Sequence, residues 1–465
     1  MRRSDTLFNA AVLTVYIAVV AFALDRHAMW RDEMQAWLIA RDAAGIGDLL
    51  GNLHYEGHPA LWYLLLMPLA RISTDPRMMQ GLHLAIAAGM VAVVLWRAPF
   101  SRLERALFAF GYFPLFEYAV KSRSYGLGTL IVAIVCALWP QRRQRPIAIA
   151  VALALMANVH VVFTIISLGF IAAIAVERLL GDRAAPSRRE IAALAIVALG
   201  WVLAAKTAVP PPDEAFDQAK WFFDVSLARA SIVFNGLGAV LGTDYRGWCG
   251  LGGLAVLAVP LWRWRANRPA AALLAVSLGG LVVFFYTKYT GYVWHHGAFF
   301  VVLVAAVWIA RVAPGPRALL PAPIFIVVLL VQAANGVQAV QEDLHRPYSE
   351  ARAAARFIIA QGWDRGPIVA ADDVTASTVA GYLGAERLYY SKGGRWGSFV
   401  KWDPARKVPV DDAAVLADTD RVGAKTLIEW REIDPSLLAA HGFSEAARFV
   451  TPNPADEYYI IYHRP

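Results

Sequence analysis

The sequence predicts a polytopic α-helical membrane protein of about eleven crossings with a small α/β domain on the outer side. Three observations predict it. Of 465 residues, 58% are hydrophobic and 17% charged, and the mean hydropathy is +0.46, more apolar than a water-soluble chain of this length. Stretches such as 9–24, 82–96, 192–203, 270–285 and 324–340 are continuously apolar and cross, or nearly cross, a hydrocarbon layer of about 30 Å as helices. A β-barrel would alternate instead, and is excluded. After residue 341 the apolar runs stop and short helix-like and strand-like segments replace them.

In chain order, crossings are expected over 7–24, 79–96, 106–120, 124–140, 146–159, 161–178, 190–209, 248–262, 269–287, 297–311 and 318–340. The stretch 146–178 is a single apolar run with arginines at both ends, Arg142 to Arg145 and Arg178 to Arg189. With both ends cytoplasmic the chain turns back inside it, and two short helices broken at Asn158-Val159-His160 are the simplest solution; the alternative, a single long tilted helix, reverses every later assignment. Other arginines cluster at 97–105, 183–189 and 263–268. With these loops cytoplasmic, the cytoplasmic side holds 17 Lys+Arg against 5 Asp+Glu, and the outer segments before residue 342 hold 12 against 13. That bias places the amino terminus inside and the carboxyl-terminal domain outside. Met1-Arg2-Arg3 followed by an apolar run without a small-residue cleavage site reads as a retained first span.

Two outer segments are longer than connectors need to be. In 25–79, Met34, Trp37 and Leu38 share one helical face and a short apolar run follows at 60–69. In 210–246, three prolines at 210–212 precede a helical candidate at 226–241. Both segments are expected to form helices along the outer interface. Residues 1–341 then make the membrane domain and 342–465 the outer α/β domain. In the latter, 349–363 and 376–383 read as helices, and 367–371, 426–430 and 457–463 as strands.

The net charge of +8 does not indicate nucleic acid, because residues 342–465 hold 15 Lys+Arg against 18 Asp+Glu and the excess lies in the membrane loops. Two cysteines, Cys136 and Cys249, exclude a disulfide scaffold and a thiolate metal cage. The absence of an internal repeat counts against repeat-built transporters.

The polar residues that a membrane chain has least reason to keep all fall at outer ends of spans. They are Asp32-Glu33, Glu56 and His58, Lys121-Ser122-Arg123 with Tyr125, Asn158 and His160, and Lys288 with His295-His296. A shared outer site accounts for that sidedness. Neighbouring residues diverge by about 100° on a helix, so Asp32 is the first choice for a catalytic carboxylate and Glu33 its orienter. A helix-terminal carboxylate is the bland alternative. Lys121 and Arg123 either clamp a phosphate or snorkel to headgroups. The paired histidines lack a zinc-ligand spacing.

An acidic pair beyond the first span, the later Glu56-Gly57-His58-Pro59-Ala60-Leu61 and the basic turn Arg123-Ser124-Tyr125-Gly126-Leu127 together resemble the GT-C superfamily of membrane glycosyltransferases. Lipid A aminoarabinose transferases and protein O-mannosyltransferases are the nearest likenesses. The resemblance implies a GT-C-like fold and an inverting transfer of sugar from a polyprenyl-phosphate donor to a glycan, lipid or protein hydroxyl, in a bacterial-type inner membrane. It implies catalytic roles for Asp32, Glu56 and Glu33, donor-phosphate contacts from Lys121, Arg123, Tyr125 and Lys288, and substrate contacts from His58, His295 and His296. Gly57 and His58-Pro59 depart from the relatives' lysine and paired prolines, which shifts the phosphate contacts onto the basic residues just named. No cofactor is implied; a divalent cation is the alternative that these residues do not favour. The rival reading is a transporter or flippase.

Overall fold

The structure, a computed structural model, describes residues 3–181, 185–216, 220–242, 247–313, 318–384 and 388–465. Arg183 and parts of the 210–246 segment lie outside the described residues. Fifteen helices are described up to residue 345: α1 (Arg3–Arg26), α2 (Arg31–Asp42), α3 (Ile46–Asn52), α4 (Leu61–Ile72), α5 (Arg77–Arg97), α6 (Arg102–Ala109), α7 (Tyr125–Leu138), α8 (Pro146–Ala157), α9 (Val161–Leu180), α10 (Arg188–Ala208), α11 (Leu227–Gly236), α12 (Gly247–Trp262), α13 (Arg268–Thr287), α14 (Val293–Val312) and α15 (Ala322–His345). Among the described residues seven helices, α1, α5, α9, α10, α13, α14 and α15, are long and apolar enough to cross a membrane. Helices α7, α8 and α12 are apolar but shorter. Helix α14 is the centre of the body, since 83% of its apolar window is buried against 22–50% for the other six.

The third expected crossing, 106–120, is not one helix. Helix α6 stops at Ala109, a five-residue π turn follows at Phe113–Glu117, and the chain is irregular up to α7. Pro114 has no amide to continue an α-helical ladder, and α15 presses on the break: a Cβ added to Gly336 would stand 2.4 Å from the Phe110 carbonyl. Such backbone is tolerated at membrane depth only where protein covers it, and residues 111–122 are buried without exception. The break at 158–160 is present between α8 and α9. There Asn158 donates to the carbonyls of Ala154 and Gly200, both at 2.9 Å, and His160 caps α9 through the Val162 amide.

The carboxyl-terminal domain begins after α15, which runs past residue 341 to His345. It comprises α16 (Ala351–Ala360), β1 (Ile368–Ala370), α17 (Asp373–Tyr382), β2 (Leu388–Tyr390), β3 (Arg395–Gly397), α18 (Asp412–Val422), β4 (Thr426–Glu429), α19 (Pro435–Ala440), β5 (Ser444–Phe449) and β6 (Tyr459–His463). The sheet order is β3-β2-β1-β4-β6-β5, with β1, β2 and β4 parallel and the other pairings antiparallel. One face packs Ile358, Val379 and Ile461, the other Leu416, Leu427 and Tyr462. Strands β2, β3 and β5 are not expected from the sequence: β3 is only partly buried and β5 is a largely exposed edge, so neither carries an apolar run.

Helix α2 differs most from expectation. Instead of lying along an interface on one apolar face, it is buried from Glu33 through Arg41, between α4 and α17. Gly381 of α17 makes the close approach possible, because a Cβ there would stand 2.2 Å from the Met34 sulfur.

Candidate active site

The site is built on the amino-terminal turn of α2. Glu33 caps that turn, accepting the Trp30 amide at 3.3 Å. Its oxygens also meet the Ser122 amide at 2.6 Å and His27 Nε2 at 2.9 Å. His27 Nδ1 lies 3.0 Å from both oxygens of Asp343 on α15. All three side chains are sealed from solvent. Burial opposes a charge on His27, but Asp343 and Glu33 outweigh it and raise its pKa to about 10. Glu33 therefore acts as a strut that ties α1, α2, α15 and the 118–124 segment together, with both of its oxygens already engaged.

Asp32 has different company. Its Oδ2 lies 3.1 Å from Arg123 Nη2, and its side chain keeps 30% of its surface open. The Arg123 guanidinium sits among the rings of Trp294, Tyr125 and Trp30, at 5.0, 5.2 and 5.7 Å from their centroids. Its Nη1 is buried with no hydrogen-bond partner, which leaves one strong donor of the fork unused.

Glu56 follows the turn at Leu53–Tyr55 and is buried, receiving a hydrogen bond from Gln35 Nε2 at 2.7 Å. Burial raises its pKa, Gln35 draws it back, and the nearby charge of Asp32 raises it again, to about 8. His58 Nδ1 meets the Glu56 carbonyl at 2.7 Å, and burial with the Arg123 charge lowers its pKa. Gly57 between them has φ of 69°, a left-handed conformation that strains any residue with a Cβ. This accounts for the glycine at that place.

A ring cluster extends the site. His58 lies 5.2 Å from His160 between ring centroids, and His160 lies 5.6 Å from His295. The Tyr125 hydroxyl is 3.1 Å from His160 Nε2, and its ring is 5.7 Å from that of His295. His295 Nδ1 accepts the Tyr292 amide at 3.1 Å, which caps α14 and aims the ring. Tyr63 and Tyr289 lie within electrostatic reach of both Asp32 and Arg123.

The structure thus gathers Asp32, Glu56, His58, Arg123, Tyr125 and His295 at the end of the body that carries the small domain. Three other expected residues have different settings. Lys121 is buried in an ion pair, its Nζ 2.7 Å from Glu117 Oε2 and 4.5 Å from the Tyr348 ring centroid, so its charge is already matched. Lys288 Nζ donates to the Lys220 carbonyl at 3.1 Å and stands 4.8 Å over Trp221. His296 Nε2 meets the Thr290 carbonyl at 2.8 Å and packs against Phe285 and Phe299.

The sequence groups His160 with the outer-end residues without assigning it a role, and does not single out Gln35 or Glu117. His160 was visible as the polar residue at a forced helix break, and Glu117 as the acidic residue four before Lys121. Gln35 carried no signal. Among the described residues no group of three or more His, Cys, Asp or Glu is arranged to hold a metal ion. A cavity of about 400 Å³ lies elsewhere, between the end of α1, the start of α5 and helices α16 and α17, and includes Arg77, Arg352 and Arg356 in its lining.

Among solved structures, ArnT from Cupriavidus metallidurans in the apo state matches with a TM-score of 0.50 and 14% identity, over 99% of this chain and 98% of that one. The arabinofuranosyltransferase AftD from Mycobacteria matches 100% of this chain with a TM-score of 0.41 and 15% identity, and this chain spans 40% of AftD's length. No protein-family model matches the sequence, and no curated protein is detectably similar to it. The end-to-end match to ArnT shows the fold alone: an ArnT-like helical body, with seven helices among the described residues long and apolar enough to cross a membrane, and a carboxyl-terminal α/β domain.

Proposed function

We propose that the chain is an inverting glycosyltransferase. It moves a sugar from a polyprenyl-phosphate donor to an acceptor hydroxyl, at the outer face of a bacterial-type inner membrane. The observation that carries this reading is the juxtaposition of Asp32, Glu56 and Arg123, with Arg123 presenting a buried, unpartnered nitrogen. The fold shared with ArnT supports it.

In the reaction the acceptor oxygen attacks the anomeric carbon, its proton passes to the Asp32 carboxylate, and the bond from that carbon to the phosphate oxygen breaks. The phosphate leaves with the electron pair on the opposite face of the sugar, which inverts the anomeric centre. Arg123 Nη1 receives the developing negative charge, in a water-poor ring environment where one charge-assisted hydrogen bond counts for more than in water. Glu56 is held mostly protonated at neutral pH, so it meets a sugar hydroxyl without adding a second negative charge beside Asp32. His58, His160 and His295 line the sugar site as neutral hydrogen-bonding rings. No step in this scheme uses a cofactor.

The test is transfer from a panel of synthetic polyprenyl-phosphate pentoses and hexoses by the purified protein, followed as release of polyprenyl phosphate in the presence of envelope glycans and lipids. Asp32→Asn is expected to lose transfer by about 10²–10⁴-fold, the range of a lost general base, with unchanged membrane insertion. Wild-type turnover in that variant removes Asp32 from the mechanism.

A further inference from the structure

Helix α2 carries Asp32 and Gln35, yet many of its outward polar contacts come from the carboxyl-terminal domain rather than from the membrane body. At its first residue the Arg31 amide donates to Glu457 Oε1 at 2.8 Å. Glu457 is buried in the segment just before β6, and its other oxygen accepts the Ser349 hydroxyl at 2.5 Å. One turn on, Gln35 is read on both sides of its amide: Oε1 accepts the Val400 amide at 2.9 Å, and Nε2 donates to the Val400 carbonyl at 2.8 Å and to Glu56 at 2.7 Å. At its last turn Arg41 donates to the Gly384 carbonyl, and Asp42 accepts the Ser398 hydroxyl. Between these points Met34 packs on Gly381.

We propose that the carboxyl-terminal domain is a clamp that sets the active-site geometry, with Glu457 and Gln35 as positioning residues for Asp32 and Glu56. Glu457 fixes the amide of the residue before Asp32, and so the direction in which α2 starts. Gln35 shares one side-chain nitrogen between the domain's Val400 and Glu56, so Glu56 is oriented only while the domain is docked. The membrane body holds the same turn from the other side through Glu33, His27 and Asp343. Asp32 therefore stands on a helix end gripped from both domains, which meets the demand that a reacting group be held within a fraction of an ångström. This assignment deepens the function proposed above and rests on it for its kinetic arm.

The experiment compares Glu457→Ala, Glu457→Gln and Gln35→Met in the full-length protein. It uses the most active donor of the synthetic panel, together with amide hydrogen exchange over residues 31–42. Glu457→Ala and Gln35→Met are expected to lower kcat by about 10- to 100-fold, the scale of a small misplacement, with the donor KM within twofold, and to speed exchange in α2. Glu457→Gln keeps the acceptor oxygen for the Arg31 amide, and the Ser349 hydroxyl can turn to accept from its new NH2, so it is expected to recover most of kcat. Unchanged kcat and unchanged exchange in both disruptive variants overturn the clamp, and so does a loss confined to KM. If the wild-type protein transfers no sugar from any donor, the functional reading fails; the exchange arm then decides the clamp alone, and unaltered α2 protection in both variants refutes it.

Discussion

Glu56 offers the sharpest test of the site's electrostatics. Its carboxyl is buried, has a single side-chain hydrogen bond from Gln35, and lies close enough to Asp32 for that charge to add to burial in raising its pKa to about 8. At pH 7 about nine in ten molecules then carry Glu56 neutral, and at pH 9 about one in ten do. Transfer is therefore expected to hold level from about pH 6 to 7 and to fall roughly tenfold by pH 9, because an ionised Glu56 next to Asp32 repels the donor phosphate. The assay is kcat/KM for the synthetic donor across that range, which reports ionisations of the free enzyme. Glu56→Gln keeps a neutral hydrogen-bonding group, so it is expected to lose the alkaline limb while retaining activity within about an order of magnitude. A wild-type rate that rises through pH 8, together with an inactive Glu56→Gln variant, refutes the reasoning and makes Glu56 the base.

The basic residues divide into two behaviours. Arg123→Gln is expected to lower transfer by about 10²–10³-fold, the usual cost of one lost anion-stabilising donor, whereas a change of less than twofold removes Arg123 from the phosphate site. Lys121→Met strands Glu117 in the interior, and breaking a buried pair costs about 3–5 kcal/mol; its expected signature is a lowered Tm in detergent, and an unchanged Tm contradicts the pairing. For His27 the folded-state pKa is raised, so its contribution to stability is complete below about pH 6.5 and is lost as pH climbs toward about 10. Wild-type Tm should fall between pH 8 and 10 by more than that of His27→Gln, and parallel curves count against a charged His27.

Legibility followed the range of the interactions concerned. The helix break at 158–160 was readable because arginines at both ends of one apolar run favour a turn back over a single long tilted helix. The small domain was readable because its inner strands are short apolar runs, while its exposed edge β5 has no such pattern. The interruption of the third crossing was missed, since 106–120 is apolar enough to span and only Pro114, together with the press of Gly336 from a distant helix, decides otherwise.

Within the site the same division holds. Sequence order and sidedness grouped Asp32, Glu56, His58 and Arg123, because ionisable residues from separate parts of the chain recur at the same ends of the apolar spans, and the structure brings these four together. From helix geometry alone Asp32 was the first choice and Glu33 its orienter, and Lys121 and Arg123 had the same expected role. Their partners lie far along the chain: Asp343 and His27 engage Glu33, and Glu117 with Tyr348 engages Lys121. Composition and periodicity determined the helical body and the appended domain, and pointed to the end of the body at which Asp32, Glu56 and Arg123 meet. Which charges are matched and which stand open was decided by tertiary packing alone, because an ion's cost and reach depend on the groups that surround it in space.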